Sequence, residues 1–221
     1  RSFYDREAHR YATHWISKNS YYYNHIKRLL ANCIPPGKKV LDVGCGCGHL
    51  LAHLSPAYGL GIDFSSAMIA EAQKRYPDLH FQQMDIESVS TLNDTFDFVI
   101  SANSITEMTD IRRCLKSLRT VMSPETRLVI VTYNYLWQPI LECGAKIGAR
   151  PDSPAENWLS QHDIENLLYS ASYQIVREGY RTIIPKYIPG ISELCNDILV
   201  RMPFFRKLGV TCYTIARPLI S

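Results

Sequence analysis

The sequence is short of several things, and each shortage excludes a class of protein. No apolar run approaches the length that crosses a membrane as a helix. No leader peptide opens the chain, although a sequence beginning at Arg1 gives that little weight. No two cysteines form a C-x-x-C pair: Cys33, Cys45, Cys47, Cys114, Cys143, Cys195 and Cys212 are an odd, scattered set. They read as buried thiols in a reducing, cytoplasmic compartment rather than a disulfide framework. Neither sign of charge dominates. The 24 Lys and Arg against 21 Asp and Glu leave +3, too little to argue for a nucleic-acid partner. There is no internal repeat and no low-complexity tract. With 46% apolar residues among 221, the chain can bury the core of one domain without staples.

What is present falls into three stretches. Residues 1–37 read as helical, 38–133 alternate strand and helix, and 134–221 mix strands with Pro- and aromatic-rich segments. The strands expected in the middle are Lys39–Val43, Leu60–Ile62 ending at Asp63, Leu79–Met84, Phe96–Ser101 and Arg127–Tyr133. Between them, residues 65–76 carry Met68, Ile69, Ala72 and Tyr76 at helical spacing. Asp110 caps a helix with Ile111, Cys114, Leu115, Leu118 and Met122 on one face. Short links between strand and helix imply parallel strands and right-handed crossovers. Ser160 to Asp163 has the form of a capping box, followed by Ile164, Leu167 and Leu168. Two last strands, Tyr173–Ile184 and Val210–Ala216, have no simple crossover helix between them, so an antiparallel closing pair is expected.

The most informative stretch is Val40–Gly48. A strand runs into Gly44-x-Gly46-x-Gly48 and then into a helix over Leu50–Leu54. Glycines there let the backbone turn sharply and approach a ligand closely. Asp63 ends the second strand about 20 residues later, where a carboxylate can accept both hydroxyls of a ribose. Asp85 ends the third strand, where it could accept the amine of an adenine. Three strand-end features on one edge of a parallel sheet define one crevice. The third glycine comes one residue earlier than in the G-x-G-x-x-G of nicotinamide-dependent reductases. Asp42, just before the first glycine, suits a cationic amino-acid group better than a pyrophosphate.

Taken together, Val40–Gly48, Gly61–Ser65 and Met84-Asp85 resemble the class I S-adenosylmethionine-dependent methyltransferases. The resemblance is specific over about 38–133 and looser at both ends. It implies an α/β, doubly wound, Rossmann-like fold with a seven-stranded, mostly parallel sheet and an antiparallel last strand. It implies a methyltransferase that uses S-adenosyl-L-methionine and releases S-adenosyl-L-homocysteine. The cofactor set it implies is Asp42, Gly44, Cys45, Gly46 and Gly48 in the loop, Asp63 for the ribose, and Phe64 and Met68 beside the adenine. Asp85 and the backbone of Ile86 would meet the adenine edge, and Asn103 the amino-acid end. Residues 1–37 would form an N-terminal helical cover. The cofactor domain would be 38–221, with insertions at about 134–158 and 185–207.

Candidates for the acceptor side are less sharply defined. In the cover, Tyr4, Tyr11, His14 and Trp15 fit a roof over the methionine end or an ordinary amphipathic helix. The resemblance puts the loop Ser101–Glu107 beside the transferable methyl, with Asn103 and Ser104 available to either ligand. Glu107 could join them or cap the next helix. The loop lacks the Asn/Asp-Pro-Pro-aromatic sequence of nucleic-acid amine methyltransferases, so no nucleic-acid substrate is expected. After the fifth strand, Tyr133, Asn134, Tyr135 and Trp137 could wall an acceptor pocket or plug the space under a loop. His162 starts a helix and reads as exposed. Tyr11, His14 and Glu107 are the base candidates, and no metal-ligand cluster is evident.

Tyr133–Trp137, Asn157–Ser160 and Ile215–Pro218 resemble a bacterial subgroup found beside or fused to glycosyltransferases. That resemblance implies a small-molecule, glycan or lipid-linked acceptor methylated on oxygen or nitrogen. Lys186–Lys207 mixes Ile188, Ile191, Leu194, Ile198, Leu199, Phe204 and Phe205 with Arg201, Arg206 and Lys207. It reads as a substrate lid, a patch on a membrane surface, or a helix packed on the core. Two rival functions remain: a non-catalytic cofactor-binding or assembly subunit, and a nicotinamide-dependent reductase.

Overall fold

A computed structural model describes residues 2–148 and 157–219. Seven strands form one sheet in the order β3-β2-β1-β4-β5-β7-β6. They are β1 (Lys39–Val43), β2 (Tyr58–Asp63), β3 (His80–Gln83), β4 (Phe96–Ala102), β5 (Met122–Tyr133), β6 (Tyr173–Arg181) and β7 (Thr211–Pro218). The first five run parallel, with Leu41 opposite both Leu60 and Val99. β7 is antiparallel to both β5 and β6. This is the doubly wound arrangement expected above, closed by an antiparallel pair.

Alternation along the strands gives the sheet two buried faces. Leu41, Val43, Leu60, Ile62, Val99, Leu128 and Ile130 point one way. They meet Leu115 and Leu118 of α5 (Ile111–Leu118) and Ile164 and Leu168 of α7 (Gln161–Ser170). Val40, Ile100, Val129 and Val131 point the other way, onto Ile26, Leu29 and Leu30 of α2 (Ser20–Cys33), Leu51 of α3 (His49–His53) and Ile69 of α4 (Ser66–Arg75). Ahead of α2, α1 (Ser2–Arg10) continues through a π-helical turn, Tyr11–Trp15, to Lys18 and lies on α4. After β5, a single 3-10 turn leads into α6 (Gln138–Lys146).

Local signals set the boundaries. Ser65 caps α4 by accepting from the Met68 N–H, Asp110 caps α5, and Ser160 and Asp163 form a reciprocal capping box. Three expectations need correction. Met122 is not on the helix, because the chain tightens into a 3-10 turn at Arg119–Val121 and Met122 opens β5 opposite Phe96. β6 stops at Arg181 rather than Ile184, because Thr182 takes φ 57°, which a strand cannot continue. The cysteines are all free, but Cys143 is exposed and Cys33 and Cys195 are only half-buried.

Residues 186–207 do not form a helix packed apolar side inward. They break into short turns, Ile191–Glu193, Leu194–Ile198, Leu199–Arg201 and Pro203–Arg206. Ser192, Asn196 and Val200 face inward while Ile191, Leu194, Ile198 and Phe204 face solvent. The reason is polar. Asn196 must satisfy the backbone of Ile183 and Ile184, and the Ser192 hydroxyl bridges the Lys186 carbonyl and the Ile188 N–H, so these two own the inner face.

Candidate functional site

The chain turns from building the sheet on one side of β1 to the other, through β4, so a crevice opens at the carboxyl ends of these strands. A cavity of about 350 Å³ occupies it. A larger, open depression lies elsewhere, against Tyr58, His80 and Phe96 at the strands' amino ends, and receives none of the chemistry below.

One half of the cavity is built by the glycine loop. Gly44 sits at φ 72°, and a Cβ there would stand 2.3 Å from that of Ser104; Gly48 starts α3 at φ 76° with the Phe81 ring against it. Nothing lies within 4 Å of where a Gly46 Cβ would be, so the backbone there faces open space. Asp63 is fixed by two N–H donors, Gly46 to Oδ2 and Ser65 to Oδ1, each at 2.9 Å. Asp42 is buried, and its Oδ2 has no hydrogen-bond partner among the described residues. Burial, with the charge of Asp63 adding, pushes its carboxyl up to about 7. A buried carboxylate with an open lone pair, a backbone cradle without a Cβ, and an anchored strand-end acid fit a ligand with an ammonium and a ribose. Phe64 and Met68 line the same half, and Tyr4 stands edge-on to Phe64 at 5.5 Å.

The other half is phenolic. Tyr11 and Tyr23 share a hydrogen bond of 2.5 Å. Tyr22 stacks on Tyr133 at 5.5 Å and meets Asn103, whose Nδ2 donates to the Tyr22 hydroxyl at 3.2 Å. Asn103 holds φ 58°, a left-handed conformation Asn tolerates. Burial raises the Tyr11 and Tyr22 hydroxyls well above the usual phenol range, so both stay protonated. Glu107 lines this half, with its charge felt at Tyr11. It does not cap α5, since Asp110 does. His49 is buried against Tyr23, and neither ring nitrogen has a partner among the described residues. Burial holds its pKa near 3, so it is a neutral imidazole. At the mouth stand Ile140, Leu141, Pro185 and Lys186, the last donating to Asn19 Oδ1 at 3.0 Å.

The cavity thus gathers Tyr4, Tyr11, Asp42, Gly44, Cys45, Gly46, Asp63, Phe64, Met68, Asn103, Glu107 and Tyr133. Several expected residues lie outside it. Gly48 is under the loop, beneath Phe81. Asp85 is exposed, with its carboxylate capping the Glu87 N–H, and Ile86 packs towards the core. His14 is exposed on the outer side of the π turn, edge-on to Trp15. Asn134 is the loop plug: it holds the carbonyls of Lys207 and Gly209. Tyr135 is exposed, and Trp137 donates its indole N–H to Leu208 O. Of the segment after β5, residues 149–156 lie outside the described residues.

Tyr22, Tyr23, His49 and Lys186 were not singled out from sequence. For the two tyrosines a signal existed: they precede Ile26 by four and three residues, on the face that α2 buries. Tyr21 points away, to His25 and Tyr187.

Known proteins resemble this chain in sequence and in fold. Residues 40–125 match the family model described as a methyltransferase domain. An O-methyltransferase of Pyrenophora dematioidea is 34% identical over 104 residues, 43% of this chain and 39% of that protein. An O-methyltransferase of Penicillium expansum is 29% identical over 153 residues, 63% and 53% respectively. The chain therefore spans only about four-tenths to half the length of these relatives. Among solved structures, a chain of the complex between the Haloferax volcanii Trm112 methyltransferase activator and a methyltransferase superposes with a TM-score of 0.75, over 98% of both chains at 19% identity. Residues 40–125 of the chain thus match a methyltransferase domain, and they lie in a doubly wound seven-stranded sheet of the kind that solved structure shares.

Proposed function

We propose that this domain binds S-adenosyl-L-methionine and transfers its methyl group to an oxygen or nitrogen of a small-molecule or lipid-linked acceptor. One observation carries the reading. A single cavity joins the Asp42, glycine-loop and Asp63 half to a half walled by Tyr11, Tyr22, Tyr23, Tyr133 and Glu107. The bound sulfonium supplies an already activated methyl, so the protein's task is to hold and align. Asp42 pairs with the amino group, Gly46 leaves room for the backbone to approach, and Asp63 accepts the ribose hydroxyls. Residues 1–37 act as the cover: Tyr4 and Tyr11 close the cavity from above and exclude water. The protonated phenols donate hydrogen bonds and do not act as bases. Glu107 is the carboxylate placed to accept a proton from an acceptor hydroxyl, while an amine acceptor would need only to arrive unprotonated. Neutral His49 offers one donor and one acceptor to whichever ligand reaches it.

Glycan or lipid-linked acceptors, the class implied by the resemblance to the glycosyltransferase-associated subgroup, suit a mouth that is apolar on Ile140, Leu141 and Pro185 with one cation, Lys186. We read the cytoplasm as the working compartment, where seven unpaired cysteines stay reduced. No helix among the described residues is long and apolar enough to cross a membrane.

The test is methyl transfer. The chain is incubated with methyl-labelled S-adenosylmethionine and a panel of hydroxyl- and amine-bearing small molecules, glycans and extracted lipids. Label should enter at least one acceptor class and be lost in Asp63→Ala. Cofactor binding without transfer to any acceptor would favour an assembly subunit, and binding of a nicotinamide cofactor instead would favour a reductase.

A further inference from the structure

The segment after β6 is amphipathic with the wrong side out. Along 191–201 the inward positions are Ser192, Asn196 and Val200, and the outward ones are Ile191, Leu194 and Ile198, with Phe204 beyond them. Ile198 is 58% exposed and Phe204 79%, and with Ile191, Leu194 and Met202 they make several exposed apolar side chains within fourteen residues. The inner polar residues are fully used by backbone groups, so this face cannot roll inward. Cations stand among the apolar groups: Arg201, Arg206 and Lys207 are all exposed. Of the two exposed acids of the segment, Glu193 accepts from the Tyr187 hydroxyl and the charge of Asp197 is felt at His25.

We propose that this face docks on an anionic lipid bilayer, with Ile198 and Phe204 entering the headgroup–acyl boundary and Arg201, Arg206 and Lys207 pairing with lipid phosphates. Exposed aromatic and branched side chains interleaved with basic ones are the pattern of an interfacial segment, where each cation near an anionic leaflet adds attraction. A second copy of the chain fits less well. A two-fold contact would bring this basic patch into the interface from both copies. The cavity agrees, because its mouth residues Pro185 and Lys186 lead directly into this segment and Ile140 stands beside them, half open to solvent. An acceptor with an apolar tail could pass from bilayer to cavity without crossing water. The docking surface goes beyond the catalytic reading and stands whether or not methyl transfer is found.

Co-sedimentation of the full chain with phosphatidylcholine vesicles, with and without phosphatidylglycerol, tests it. Wild type should sediment with the anionic vesicles and stay in solution with the neutral ones. Arg201→Glu with Arg206→Glu should lower the anionic partition on the order of tenfold or more. Ile198→Asp with Phe204→Asp should abolish it. All three proteins should keep the same affinity for S-adenosylhomocysteine, which reports folding separately. If a variant fails that control, Phe204→Trp supplies a gain of signal: its emission should shift blue on anionic vesicles alone. Wild type that ignores anionic vesicles, variants that bind as well as wild type, or a dimer dissolved by the same substitutions would overturn the proposal.

Discussion

The Asp5 carboxylate accepts the hydroxyl hydrogen of Ser65 at 2.6 Å, across sixty positions of sequence. That bond fastens α1 to the turn whose next residue upstream but one is Asp63, so α1 is tied to the Asp63 end of the cavity. Ala8 and Ala12 complete the seat on Cys47 and Met68.

The roof should therefore matter more for alignment than for grip. Removing residues 1–16 should cut turnover on an accepted acceptor on the order of a hundredfold, because the methyl is no longer held in line or kept dry. Affinity for S-adenosylhomocysteine should fall by less than about tenfold, since Asp42 and Asp63 remain. Single-turnover rates beside calorimetry separate the two effects. Equal rates would make α1 ordinary packing.

Asp42 gives a pH signature. Its carboxyl is raised to about 7 in the fold, so between about pH 4 and 7 the folded state holds a proton that the unfolded state releases. Its contribution to stability is lost as pH rises through that window, a cost reaching about 4 kcal/mol. Asp63, also raised, acts with the same sign. His49, held near 3, acts oppositely: its contribution is lost as pH falls from about 6.5 towards 3. The whole-protein profile mixes these, so the comparison is with Asp42→Asn. That variant's advantage in Tm should grow from pH 4 to 7, level off above, and shrink for saturated S-adenosylmethionine, whose ammonium compensates the charge. A constant offset across pH would contradict a raised Asp42.

The Tyr11–Tyr23 bond lies in the interior between the roof and α2. Tyr23→Phe removes the partner of the Tyr11 hydroxyl and should cost about 1–3 kcal/mol. Tyr11→Phe with Tyr23→Phe should cost less than the sum of the single variants, with coupling measured by a denaturant double-mutant cycle. Additive costs would mean the two hydroxyls do not depend on each other.

The sequence made the sheet legible because its central strands carry apolar runs, and Lys39–Val43 and Tyr58–Asp63 end at a glycine and at an acid. The cofactor half was legible for the same reason: Asp42, the glycines and Asp63 are local features pinned to strand ends. The acceptor half was legible only in part: Tyr11, Asn103, Glu107 and Tyr133 were named, and Tyr22, Tyr23 and His49 were not. It is assembled by packing, from the π turn at Tyr11, the buried face of α2 and the loop after β4, and no spacing links those segments. Asn134 shows the limit from the other side: in sequence it looked like a pocket wall, but it holds the carbonyls of Lys207 and Gly209. For 186–207 a lid, a membrane patch and a packed helix stayed open in the sequence, because periodicity reports that a helix has two faces and not which is buried. Asn196, by claiming the inner side, decides it.

Calorimetric titration tests most directly the half of the cavity built by Asp42, the glycine loop and Asp63. S-adenosylhomocysteine should bind wild type at one site with micromolar affinity or better, while a nicotinamide dinucleotide should show no binding. Asp63→Ala, still folded, should bind at least about tenfold more weakly, since charge-assisted hydrogen bonds to two ribose hydroxyls are lost. A wild-type chain that binds the nicotinamide cofactor and not S-adenosylhomocysteine, or an Asp63→Ala variant with unchanged affinity, would contradict it.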